Sequence, residues 1–186
     1  MIDESGPWKD ELLRVASSLE RRIAQRRWTE RSRFIVERDI MISAYSIRKL
    51  LEASKLSDEA RARRISATRF TLIDRVPDFL NFHRVNDYYD LEHASSTQLR
   101  VPDFCNQIIH SFVWMMCENE SRGFAGVIVA SDRERRKCLY QIAAEAIIDF
   151  FRAIAADDIV EMRIRADSSG ERKVIYASSE QREYQI

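Results

Sequence analysis

Apolar positions in the first third of the chain recur at steps of three and four. Between Trp8 and Arg27 they are Trp8, Leu12, Val15, Leu19 and Ile23, which form one narrow stripe on a helix of period 3.6. The other faces carry Glu11, Arg14, Glu20, Arg21, Arg22, Arg26 and Arg27. Pro7 stands where a helix can begin, because its missing N–H would find no partner in the first turn. The segment from Thr29 to Ser54 has a wider apolar face, with Ile35, Met41, Ile42, Tyr45, Ile47, Leu50 and Leu51, and a wide face predicts packing on two sides. The two segments predict an antiparallel helical hairpin, or one bent helix broken near Trp28. Ser57 followed by Asp58 and Glu59 predicts a short third helix, with a hydroxyl cap and acids favoured by the helix dipole.

After Arg64 the period changes from helical to alternating. ISATRFTLI, Ile65 to Ile73, is β-branched and predicts a strand. Asp74 to Asp103 reads as irregular apart from short helical turns, and a loop of about 30 residues is unusual inside a compact domain. SFVWMMCE, Ser111 to Glu118, favours a strand, with a continuation of the helix begun at Pro102 as the alternative. ENESRG then turns into the strand FAGVIVAS, SDRERR is a polar turn, and KCLYQIA returns as a strand. Ala144 to Asp158 predicts an amphipathic helix. IVEMRIRA and RKVIYAS predict a closing hairpin whose turn lies at Asp167 to Gly170. The expected class is α+β: a helical hairpin or arm over residues 1–64, then over 65–178 a mainly antiparallel sheet packed against a C-terminal amphipathic helix, then a frayed tail over 179–186.

The pentapeptide RVPDF occurs twice, at Arg75–Phe79 and Arg100–Phe104. In each copy the Pro suits the first position of a helical turn, the Asp suits its first turn and the Phe can anchor it. The flanks differ: an Asn precedes a His by two residues at Asn81–His83 and by four at Asn106–His110. A helix start used twice explains the repetition better than a duplicated site does.

Composition narrows the function classes. Formal net charge is zero, so nucleic acid stays a possible partner that the net charge does not indicate. Five lysines among 30 basic residues leave 25 arginines, an imbalance that coding bias explains as well as function does. Three widely spaced cysteines with no CxxC pair suit a reducing compartment, and no apolar run approaches the roughly 18 residues of a membrane span. The expected location is cytoplasmic, with no membrane association. Four glycines and the absence of any Walker, dinucleotide-binding or metalloprotease pattern leave no cofactor and no metal expected.

Candidate chemistry lies after the second RVPDF. Helical spacing puts Asn106 and His110 on one face, where the amide can orient an imidazole acting as acid or base. The SDRERRK turn gathers Asp132, Arg133 and Arg135, and arginines at a sheet end can hold a phosphate or a carboxylate. Tyr88 and Tyr89 lie in a stretch of aromatic, acidic and imidazole side chains suited to a protein interface. The leading expectation is a module that docks a protein partner or a second copy of itself through Trp8, Leu12, Leu19, Ile23, Tyr88 and Tyr89. The alternative is a small metal-independent enzyme, akin to a ribonuclease or nucleotide hydrolase, that uses His110 with an arginine anion clamp.

Overall fold

The structure, a computed structural model, describes residues 2–181. It is α+β. Helices α1 (Gly6–Ile23), α2 (Glu30–Glu52) and α3 (Asp58–Ala62) lead into strand β1 (Arg64–Thr71). Strand β2 (Ser95–Arg100) runs directly into helix α4 (Val101–Ile109), followed by β3 (Ser111–Glu118), β4 (Phe124–Ser131) and β5 (Cys138–Ala143). Helix α5 (Ala144–Ala155) precedes the hairpin of β6 (Asp157–Ala166) and β7 (Arg172–Gln181). No helix among the described residues is long and apolar enough to cross a membrane.

Local chemistry sets the helix boundaries. Thr29 and Ser32 close a reciprocal cap at the start of α2: the Thr29 hydroxyl accepts from the Ser32 N–H at 3.1 Å and the Ser32 hydroxyl accepts from the Thr29 N–H at 2.8 Å. The chain therefore breaks between the first two helices. The Trp28 indole N–H donates to the Arg122 carbonyl at 2.6 Å, which fastens the break to the β3–β4 turn. The two helices do not form a hairpin set apart from the sheet: α1 packs chiefly along α5, and α2 along α4.

The five-stranded sheet has the order β2-β1-β5-β4-β3 and is antiparallel throughout. Ile65, Val127, Val129 and Ile142 join Leu12, Leu19, Ile40, Ile47 and Phe151 in the main core. Phe70, Val113, Ala130 and Leu139 form a smaller core under Val85, Tyr88 and Tyr89. Gly126 serves the bulge where β4 meets both neighbours. It has φ +130°, and a Cβ built on it would stand 2.1 Å from the Ile142 carbonyl oxygen.

Several expectations are corrected. Residues 95–100 form an edge strand instead of loop, because Ile65–Leu99 and Ala67–Thr97 pair across β1 and β2. Only the second RVPDF starts a helix, with Pro102 in its first turn and Phe104 fully buried, 5.1 Å from the ring of Phe150. The first copy forms a turn in which Asp78 and Asn81 side chains accept backbone N–H groups, and Phe79 is 74% exposed, so it anchors nothing. The C-terminal helix ends at Ala155, earlier than expected. Strand β7 includes residues 179–181 of the expected frayed tail; residues 182–186 lie outside the described residues.

A buried polar junction ties the helices to the hairpin. The Asp157 carboxylate accepts from the Ser57 N–H at 2.9 Å and from the Ser57 hydroxyl. Lys9 donates from α1 to the Asp157 carbonyl. Asp157, Ser57 and Lys9 are all buried, so each hydrogen bond replaces one that water supplied in the unfolded chain.

Candidate functional site

The C-terminal end of α4 and the β4–β5 connection meet at one end of the sheet. The Ile108–His110 end of the helix leads straight into β3, and the Asp132 N–H donates to the His110 carbonyl at 3.0 Å. The Gln107 side-chain carbonyl accepts from the Ser131 N–H at 2.9 Å, a buried bond that locks helix to strand. These two links put the NQIIH and SDRERR segments side by side. Between them, over Thr97, Leu99 and Tyr140 of the sheet, opens a pocket of about 700 Å³.

Four of the five residues expected to carry chemistry line this pocket: Asn106, His110, Asp132 and Arg133. The fifth, Arg135, does not. Its guanidinium lies 3.7 Å over the Phe112 ring, donates to Asp132 at 2.9 Å and to the Pro77 carbonyl, and is largely buried. It pins the first RVPDF segment to the turn and is unavailable as half of an anion clamp. Asn106 also departs from its expected role. Its side-chain oxygen accepts from Arg48 at 2.8 Å, and its link to His110 runs through the backbone, where the His110 N–H donates to the Asn106 carbonyl at 3.1 Å. The imidazole is therefore not oriented by the amide.

The pocket's charge balance follows from its pairings. Three carboxylates line it, from Asp103, Asp132 and Glu134. Each has a cationic partner three residues away: Arg100 at 2.6 Å, Arg135 at 2.9 Å and Lys137 at 3.1 Å respectively. Arg133 and the His110 ring have no side-chain partner among the described residues, and His110 is exposed. The Asn106 NH₂ group is free to donate, since only its oxygen is engaged. Burial raises the Tyr140 phenol above its ordinary value, with the Cys138 thiol adding to the effect, so it remains an O–H donor. Of these charged and amide groups, those left unmatched, Arg133 and the Asn106 NH₂, are donors. No group of three or more His, Cys, Asp or Glu among the described residues is arranged to hold a metal ion.

The residues expected to face a partner are engaged within the chain. Leu12 and Leu19 are fully buried in the main core, with Trp8 and Ile23 packed against it. Tyr88 and Tyr89 are 5% and 1% exposed. The Tyr89 hydroxyl donates to the Arg135 carbonyl at 2.9 Å, and Tyr89 bridges Leu72 at the end of β1. A stripe of apolar residues on a first helix looks the same whether it meets α5 or another chain. What sequence reasoning missed in the pocket is Thr97, Gln107, Glu134 and Tyr140, and above all the pairing of its acids. The i, i+3 spacing of Arg100–Asp103 and Glu134–Lys137 was the available signal.

Comparisons with protein-family models, with curated proteins and with solved structures find no match.

Proposed function

We propose that the pocket between α4 and the β4–β5 turn binds a small ligand through a carboxylate or phosphate group, with Arg133 and His110 as its principal contacts. One observation carries this reading: every acid lining the pocket is paired within the chain, while Arg133 and His110 are not. A guanidinium gives a planar, bidentate donor to an oxyanion. An imidazole can both give and take a proton, so any acid–base chemistry on the ligand would run through His110.

The test uses two probes, inorganic phosphate and acetate, titrated into the whole chain while the histidine ring protons are followed by NMR. Binding moves the His110 ring resonances, because a bound anion changes their electrostatic surroundings. Arg133→Gln weakens binding at least tenfold, and Arg136→Gln, outside the pocket, leaves it unchanged. A His110 resonance that neither anion moves, or equal binding by Arg133→Gln, would refute the proposal.

A further inference from the structure

The hairpin of β6 and β7 stands apart from the pocket and from the five-stranded sheet. It is a separate two-stranded sheet with strands of ten residues each. From Val160 to Ala166 every residue of β6 is exposed. Val160 and Ile164 are each 58% exposed and Met162 is 40% exposed, on a strand whose acids, Asp157, Asp158 and Glu161, precede its bases, Arg163 and Arg165. A two-stranded ribbon is marginal in water by itself, and an uncovered edge bearing apolar side chains is a template for another strand. The outer edge of β7 is met by α3, where the Ala177 N–H donates to Asp58 at 3.2 Å. The outer edge of β6 has no strand beside it among the described residues.

We infer that the free edge of β6 pairs with β6 of a second copy of this chain, antiparallel about a two-fold axis through Met162. The sequence of the strand selects this occupant and this register. Read against its own reverse with Met162 facing Met162, VEMRI places Val160 opposite Ile164 and Glu161 opposite Arg163, each twice by symmetry. Apolar faces apolar and acid faces base at the three central positions, Glu161 to Arg163, flanked by Ile164 and by Val160, where β6 bulges against β7. Sliding by one residue puts Glu161 opposite Met162 and Val160 opposite Arg163 of the partner, and although Asp158 then meets Arg165, both Glu161–Arg163 pairs are lost. Within one chain Arg163 reaches Glu161 at 2.9 Å and lies 5.0 Å over the Tyr176 ring, with the pair 66% and 49% exposed. Both charges are thus held at the surface where a second strand would meet them.

The experiment is sedimentation equilibrium on the full chain over 1–100 µM, with circular dichroism as a check on folding. Wild type approaches twice the 21.9 kDa chain mass. Glu161→Arg sets two arginine pairs across the axis and Arg163→Glu sets two acidic pairs, and each variant alone raises the dissociation constant at least tenfold. Mixing the two single variants restores the dimer, because each then faces its opposite charge, and the double variant E161R/R163E restores it in one chain. A wild type monomeric throughout would overturn the inference and leave the edge to a different partner. Dimers indifferent to the single changes, or singles that fail to pair when mixed, would also overturn it. Retained anion binding in a monomeric variant keeps this result separate from the pocket reading.

Discussion

Replacing Leu19 by Ala separates a core helix from a docking helix. Leu19 is fully buried among α1 and α5 residues of the main core. Truncating a buried leucine removes transfer energy and leaves a cavity, at a cost of about 2–5 kcal/mol. An exposed leucine truncated on a free face changes stability by roughly 0.5 kcal/mol at most. Taking a mid-range loss of about 3 kcal/mol, a chain of this size should lose roughly 6–12 °C in melting temperature. The assay is urea unfolding followed by far-UV circular dichroism at two protein concentrations a hundredfold apart. The difference between variant and wild type should be the same at both, because the missing contacts lie within one chain. A difference below about 0.5 kcal/mol at the lower concentration, growing with concentration, would mean that α1 presents its stripe to another molecule and that its packing on α5 is wrong.

Three further outcomes follow from named contacts. Gly126→Ala should cost ~2–5 kcal/mol by urea unfolding, since φ +130° and the 2.1 Å approach to the Ile142 carbonyl leave no room for a Cβ; an unchanged midpoint would refute the bulge geometry. Asp157→Ala should cost ~2–4 kcal/mol by the same assay, because it strands the buried N–H and hydroxyl of Ser57, and Asp157→Asn should cost less by keeping one acceptor. Burial pushes the Cys105 thiol up to about 12 and also raises Cys117, so a thiol reagent at pH 8 should leave Cys105 unmodified in the native protein and react fully in urea; peptide mass mapping that finds rapid native labelling of Cys105 would contradict its burial.

Much of the fold was legible because it depends on local period and capping. The stripe from Trp8 to Ile23, the cap at Ser57 and the alternation in ISATRFT each predict their element without reference to the rest of the chain. Residues 95–100 were not legible. SSTQLR is polar because one edge strand needs few apolar side chains, and its strand character comes from pairing with β1. The two RVPDF copies show the same limit more sharply. Identical pentapeptides became a buried helix start and an exposed turn, since only Phe104 has Phe150 and Phe151 to pack against. Phe79 has no such partner and stays in solvent.

The pocket extends that reasoning to charge. Arg133 and Arg135 are two residues apart in one turn, and no property of the turn alone distinguishes them. Phe112 and the Pro77 carbonyl do, by holding Arg135 from below while Arg133 is left facing the pocket. Asn106 lines the pocket, and its side-chain partner is equally hidden from the local sequence: Arg48 arrives from α2, far away in the chain. Counting formal charges around such a pocket makes it acidic, with three carboxylates against Arg133. Removing the charges already neutralised by Arg100, Arg135 and Lys137 reverses the sign. A ligand meets the residual field of unpaired groups, so the polarity of a site follows from its pairings and only then from its composition.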